Sequence, residues 1–491
     1  MTRADLAAIA PELLLAAAGC LVLLLEAFTP GLRRAFTALS VLAAAGAGWL
    51  AWELPLGASF GGLLVADRLT AVGSLIVLAS AALALLASQG YLVRERILGG
   101  EYHALLLWGA CGMLLMLRAT ELLTVFVALE LLSLCLYALA AFDRKIVVGT
   151  EAAIKYFLMG AFASAFVLYG IALVYGATGS TSFDHVADAF AGGGAAPWLG
   201  TIGVLLLVGG FGFKMSVAPF HAWAPDTYQG APSPFVAFLS VAPKAAAVFV
   251  LIRVLATVFP DALGARWPAV VAVLAVLSMV VGNLLALVQK DFKRMLAYSG
   301  VGHMGYLLIP LAGLDLGLPG GQFLTAAGGL SLAAAGAKSW TPVLVYLAAY
   351  ALMNAGAFAI VGMLYERPGE QHLISDLSGW GYRFPLLGLA LTICMLSLGG
   401  IPPTVGFIGK YLVFLHAIQH GQTWLALVGV ATSLVGVFYY LRVVYVLYMK
   451  DEVKAPAAGL VIDGWGKAAV VIAALGTLAL GIFPALLLNL L

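Results

Sequence analysis

Fourteen stretches of this chain are each long and apolar enough to cross a bilayer, and that restricts the folds open to it more than any other feature. A crossing helix needs roughly 20 predominantly apolar residues. The stretches fall at about 7–28, 35–52, 69–89, 103–118, 121–142, 152–176, 199–218, 233–258, 268–289, 296–312, 341–365, 385–418, 423–449 and 467–489. Hydrocarbon offers no water to backbone amides and carbonyls, so each stretch is expected to be helical. With only 10% charged residues and a mean hydropathy of +1.06, the chain reads as an all-α polytopic membrane protein. The Ala/Gly-rich stretch 322–337 is shorter and reads as a loop insertion with a weak tendency to lie at the interface.

Basic residues give the orientation, because cytoplasmic loops are enriched in Lys and Arg. One set of alternate loops holds fifteen of them and the other set five, which places both termini on the non-cytoplasmic side. Lys155 and Arg253 lie near segment ends and are expected to snorkel. Glu130, Lys214, Lys244 and Lys410 remain at membrane depth. A charge there costs at least about 2.5–3.5 kcal/mol, so such groups face a bundle interior and carry ions or protons.

The same composition sets other functions aside. A net charge of +2 with no basic run excludes nucleic-acid binding. Cys20, Cys111, Cys135 and Cys394 lie in apolar segments without a CxxC pair, so no metal or cluster site is expected on this chain. Ala17-Ala18-Gly19-Cys20 faintly resembles a lipoprotein cleavage site, but the apolar run continues to Phe28 and reads as an uncleaved first helix. A GxGxxG dinucleotide fingerprint between strand and helix is absent.

Two crossings are interrupted. The seventh carries Gly209, Gly210, Gly212, Pro219 and Pro225 and is expected to break near Val217–His221; the twelfth carries Gly399-Gly400-Ile401-Pro402-Pro403. Unwound backbone survives at membrane depth only where it is buried in protein or lines a wet cavity, and paired breaks in two halves point to a transport pathway. The breaks are five crossings apart, an odd number, so helices 4–8 (101–258) and 9–13 (266–450) are expected to be inverted repeats. Helices 1–3 (1–100) and helix 14 (451–491) flank them.

The run Phe213-Lys214-Met215-Ser216-Val217-Ala218-Pro219-Phe220-His221-Ala222-Trp223-Ala224-Pro225-Asp226-Thr227-Tyr228, followed by Gly230-Ala231-Pro232, closely resembles the signature of the proton-translocating antiporter-like subunits of respiratory complex I. Lys290-Asp291-Phe292-Lys293-Arg294-Met295-Leu296-Ala297-Tyr298-Ser299, with His303-Met304-Gly305, is similar to a second block of that family. The resemblance covers about residues 100–450. Leu398 to Tyr411, with Lys410 where the subunit M branch usually has glutamate, resembles the subunit N branch, itself similar to mitochondrial subunit 2. The subunit L branch carries a C-terminal extension, and this chain stops after its fourteenth stretch.

The resemblance implies that Glu130 pairs with Lys214 and that Lys244 and Lys410 continue a polar axis along the membrane plane. It implies a proton-pumping subunit of NADH-quinone oxidoreductase in the bacterial inner membrane, beside other membrane subunits including subunit M. NADH, FMN, iron–sulfur clusters and quinone would be handled by other subunits, with no cofactor on this chain. The other readings are an Mrp-type cation/proton antiporter subunit and a non-pumping structural subunit. Burial favours a neutral lysine and a nearby carboxylate opposes this. A pKa change of about 3 is worth about 4 kcal/mol, enough to carry a charge against nearly 200 mV at about 2.3 kcal/mol per 100 mV.

Each residue also has a structural reading. Glu130 and Lys214 could form a static ion pair, and Lys244, following Pro243, could cap carbonyls. His221 and His303 could relay protons or be hydrogen-bonded structural residues. Glu151 and Lys155, spaced i, i+4, read as a helix-stabilising pair.

Overall fold

The computed structural model describes residues 3–192, 196–255, 267–312, 324–325, 329–330, 340–364, 372–450 and 463–490. Within them the crossings are α1 (Ala10–Phe28), α2 (Phe36–Glu53), α3 (Arg68–Arg94), α4 (Gly100–Arg118), α5 (Leu122–Ala140), α6 (Val147–Thr178) and α7a (Pro197–Met215), continued by the short α7b (Trp223–Gly230). Then follow α8a (Ser233–Leu239) and α8b (Ala242–Arg253), α9 (Trp267–Val288), α10 (Phe292–Ala312), α11 (Thr341–Leu364), α12a (Pro385–Gly399) and α12b (Val405–Gln419), α13 (Thr423–Met449) and α14 (Gly464–Ile482). Thirteen segments are long and apolar enough to cross a membrane, and the two shorter helices α12a and α12b together make the fourteenth crossing. The stretch 322–337 lies outside the described residues except where Leu324–Thr325 pairs antiparallel with Gly329–Leu330. The expected boundary between the repeats, 258–266, also lies outside them.

Both expected breaks are present and end in the same way. At α7a, Ser216 is left-handed (φ 59°), Val217 N donates to Gly212 O (2.9 Å), and Ser216 N donates to Phe213 O (3.0 Å). At α12a, Gly400 is left-handed (φ 78°), Ile401 N donates to Leu396 O (3.0 Å), and Gly400 N to Ser397 O (2.9 Å). Each pair of bonds is a Schellman cap, which stops a helix while satisfying two of its last carbonyls. The eighth crossing is also interrupted, at Ser240–Val241, because Pro243 has no N–H for the carbonyl four residues earlier and its ring crowds that carbonyl.

Without a hydrophobic drive between helices in lipid, close backbone approach holds such bundles together. A methyl on Gly305 of α10 would lie 2.7 Å from Met279 N of α9, and one on Gly170 of α6 would lie 2.8 Å from Gly203 O of α7a. Only glycine fits at these two seams. Outward faces carry exposed Phe162 and Tyr169 on α6 and Leu434 and Phe438 on α13, whereas α8 and α10 are buried on nearly all sides.

Contacts near the helix ends agree with the alternation of the crossings. At one end of the bundle Phe60 N reaches Asp5 Oδ1 (3.0 Å) and Asp67 Oδ2 holds Arg253 Nη2 (2.9 Å), while Thr120 N and Leu122 N bond Leu63 O and Thr181 O. At the other end Lys155 and Arg294 share Asp226 at 3.1 and 2.6 Å, His372 N reaches Asp291 Oδ2 (3.2 Å), and Arg442 Nη2 reaches Gln289 O (2.7 Å). Every one of these contacts joins members of the same alternate set. Glu151 does pair with Lys155, at 2.8 Å.

Two expectations about charge need correction. Arg253 does not snorkel: it is buried, because Asp67, whose Oδ1 caps α3 by accepting from Thr70 N (2.7 Å), offers it the other carboxylate oxygen. Lys293, counted among the loop residues, is buried and donates to Ala231 O (2.7 Å) at the start of the eighth crossing. A third buried contact, Arg118 Nη1 to Glu12 Oε1 at 2.8 Å, joins α4 to α1. Removing one member of a buried pair strands the other, at a cost of about 3–5 kcal/mol. Glu12→Gln should therefore lower thermal stability by about that amount, and Glu12→Met with Arg118→Leu should recover most of it. Equal melting temperatures for Glu12→Gln and the unaltered chain would show that the pair contributes nothing.

Candidate functional site

The ionisable residues at depth lie along one buried string of lysines, tyrosines, serines and a histidine. Lys214 sits in the last turn of α7a, buried, where the Schellman cap that follows directs the chain away. Its Nζ donates to Ser133 Oγ (2.7 Å) and Tyr137 OH (3.3 Å) on α5. Glu130 is one turn before Ser133 on α5, half-buried, beside the exposed Val127 and Leu134. Its Oε1 is buried and has no hydrogen-bond partner. The expected Glu130–Lys214 salt bridge is thus not formed: among the described residues Lys214 has no ion-pair partner, and the static-pair reading falls with it. Ser133 holds the ammonium because it follows Glu130 by three residues and shares its side of α5.

From Lys214 an aromatic stack leads inward. The rings of Tyr137 and Tyr156 are 4.8 Å apart, Tyr156 stacks on Trp223 at 4.5 Å, and Trp223 meets Tyr228 of α7b at 6.2 Å. Trp223 Nε1 also donates to Phe213 O (2.9 Å), which pins α7b against the end of α7a. Lys244, fully buried on α8b, places its Nζ 5.5 Å from the centre of the Tyr228 ring, within cation–π range. That Nζ has no hydrogen-bond partner, so the carbonyl-capping reading of Lys244 is also not what the chain adopts.

On the far side of Lys244 stands His303 of α10. Its Nδ1 is 2.7 Å from Tyr346 OH on α11 and its Nε2 is 3.0 Å from Tyr440 OH on α13, and Tyr440 in turn bonds Ser299. The His303 ring lies 5.1 Å from that of Tyr350 and 5.9 Å from that of Tyr306. Lys410 Nζ is 5.2 Å from the Tyr306 ring and closes the string. His221, in the break of the seventh crossing, stands to one side: half-buried, its Nδ1 without a partner, its ring 6.2 Å from that of Tyr298.

Lys410 lies in the amino half of α12b. Its side chain folds back to the end of α12a and donates to Leu398 O and Gly399 O, both at 3.0 Å, and to Ser433 Oγ at 2.8 Å. The cap of α12a occupies the carbonyls of Leu396 and Ser397, and the next two have no helical donor left. Lys410 supplies it. Carbonyl capping, weighed for Lys244, belongs to Lys410.

Sequence reasoning found the charges and missed the hydroxyls between them: Ser133, Tyr137, Tyr228, Ser299, Tyr346, Tyr350, Tyr440 and Ser433. A usable signal was present in Tyr346 and Tyr350, which share one face of an otherwise apolar helix at i, i+4 spacing.

Fold and site together define a multi-pass membrane protein with two capped breaks flanking a buried string of lysines, aromatic side chains and a histidine. Comparison with known proteins makes the class specific. Residues 119–315 and 328–436 match the family model described as NADH:quinone oxidoreductase/Mrp antiporter, TM. The chain belongs to that family. It is 40% identical over 99% of its length to the NADH-quinone oxidoreductase subunit N of Trichlorobacter lovleyi, covering 96% of that protein. It is 39% identical over 92% of its length to the subunit N of Paramagnetospirillum magneticum, covering 90% of it. A chain in a structure of respiratory complex I from Thermus thermophilus with bound aureothin superposes with a TM-score of 0.79 at 36% identity, covering 98% of both chains. A chain of the Mrp complex from Dietzia sp. shares the fold, with a TM-score of 0.81 at 22% identity, covering all of this chain and 96% of that one.

Proposed function

We propose that this chain is the antiporter-like subunit N of a bacterial NADH-quinone oxidoreductase and moves protons across the membrane while electron transfer runs on other subunits. The observation that carries this reading is the string itself: three buried lysines linked through aromatic side chains and His303. Desolvated charge at that depth is costly, which argues against a spacer. Near-full-length relatives at 39–40% identity carry the subunit N name, whereas the Mrp likeness at 22% extends only to the fold. In this reading NADH, FMN, iron–sulfur clusters and quinone are handled by other subunits. The neighbours are other membrane subunits of the complex, including subunit M, and both termini face the non-cytoplasmic side. Helices 4–8 and 9–13 form inverted repeats, an assignment supported by the identical caps five crossings apart.

Glu130, Lys214, Lys244 and Lys410 are the proton-carrying groups in this reading, with His303 a relay within the string and His221 a relay from the break. Glu130 has a buried carboxylate oxygen without a hydrogen-bond partner, one turn of α5 from the Ser133 that holds Lys214, so protonation of one is felt by the other without a fixed pair. Glu130→Gln keeps shape and removes the charge. In vesicles containing the assembled complex, it should reduce protons moved per quinone reduced and slow turnover severalfold, with subunit content unchanged. Wild-type pumping by that variant would remove the carboxylate from the mechanism.

A further inference from the structure

Four buried polar atoms near the centre of the bundle have no hydrogen-bond partner: Lys244 Nζ, Tyr350 OH, Tyr228 OH and Asn354 Oδ1. Their residues are all shielded from solvent, and each such atom left unsatisfied costs about 1–3 kcal/mol. Two of them face one another across a glycine. A methyl group on Gly300 would lie 2.9 Å from Lys244 Nζ and 2.9 Å from Tyr350 OH. The two atoms are therefore close enough for one water, hydrogen-bonded at about 2.8 Å to each, to join them. Buried waters occupy polar sites of this kind, where two or more groups are otherwise unsatisfied. Tyr350 also lies on the correct side for onward transfer, its ring 5.1 Å from that of His303, whose nitrogens meet Tyr346 and Tyr440.

We propose that the absence of a side chain at Gly300 keeps open a one-water bridge between the Lys244 ammonium and the Tyr350 hydroxyl, which makes Tyr350 the group that passes protons between Lys244 and the His303 cluster. The inference rests on the proton-moving reading of the string and adds a residue and a spacing requirement to it. In one transfer the ammonium gives a proton to the water, and the water gives one of its own to the Tyr350 oxygen. The Tyr350 hydroxyl, which has no partner in the protein, releases its original proton through a second water to the Ser299–Tyr440–His303 group. Lys244 ends neutral and the His303 cluster gains the charge, while water and tyrosine are unchanged and no electron moves.

Position 300 offers a test that leaves every ionisable group in place. The atoms that a new side chain would meet are the free ends of Lys244 and Tyr350, which can move aside, so the variants should fold. Gly300→Ala fills the space with a group that cannot hydrogen-bond. Gly300→Ser fills it with almost the same bulk and returns a hydroxyl between the two ends. The complex would be reconstituted in vesicles and proton movement measured per quinone reduced. The share due to this chain is the wild-type value less that of Lys244→Met, with assembly checked by native electrophoresis. Tyr350→Phe and Gly300→Ala should each lower that share at least threefold, and Gly300→Ser should restore at least half of it. Wild-type pumping by assembled Gly300→Ala and Tyr350→Phe, with Lys244→Met defective, would overturn the bridge and leave the proposed function standing. Equal loss in Gly300→Ser and Gly300→Ala would also overturn it, since packing alone would then account for both. If Lys244→Met itself pumps like the wild type, the proposed function fails first and the bridge with it.

Discussion

Lys410→Arg should leave this chain folded and stop proton movement through it. The Lys410 ammonium uses all three of its donors, on Leu398 O, Gly399 O and Ser433 Oγ, so the side chain both terminates α12a and ends the string. A guanidinium can make the same contacts to the end of the half-helix, but it stays protonated in proteins, with a pKa above about 12. Capping is retained and proton exchange is lost. Lys410→Met separates the two roles differently, because it removes the donor and leaves two buried carbonyls unsatisfied, each at about 1–3 kcal/mol. The methionine variant should lose pumping together with several degrees of thermal stability; the arginine variant should lose pumping alone. Reconstituted Lys410→Arg complex that pumps at the wild-type proton-to-electron ratio would mean Lys410 never has to deprotonate and is a cap only.

The architecture was legible because a bilayer leaves few alternatives. Apolar runs of bilayer length must be helices, so thirteen crossings could be placed to within about five residues at each end, the last was run seven residues past Ile482, and Gly399–Pro403 announced its own break. The arrangement of charges was less legible. Glu130 and Lys214 are 84 positions apart, and whether their side chains meet depends on the rotation of α5 against α7a, which periodicity does not fix when every face of a helix is apolar. Ser133 won the ammonium by one turn of helix. Arg253 was misjudged for a related reason: its partner Asp67 lies at the start of α3, 186 residues away, and nothing local marks that pairing. The capping role of Lys410 was hidden because it depends on which carbonyls the Schellman bonds leave over. Hydroxyl groups were overlooked since Tyr and Ser are ordinary in apolar helices, and only their convergence on the buried lysines and His303 distinguishes these ones.

Lys244 should behave in the opposite way to Lys410 when its charge is removed. Both are buried lysines in half-helices, yet Lys410 satisfies three acceptors and Lys244 satisfies none. An unpaired ammonium in a desolvated site is a burden on the fold, and replacing such a group by an apolar side chain of similar length is neutral or stabilising. Lys244→Met loses the contact with the Tyr228 ring, 5.5 Å away, worth about 0.5–2 kcal/mol at most, and the ammonium's bond to the bridging water, which can still hydrogen-bond Tyr350. The variant should melt at or above the wild-type temperature while its complex loses the proton movement that runs through this chain. A fall in melting temperature as large as that of Lys410→Met would mean that Lys244 has a structural partner in the working protein. Unchanged pumping would mean that protons reach His303 without it. Stability retained and pumping lost is the signature of a charge kept in the core for transport, and Lys244 is the position at which the two effects separate most cleanly.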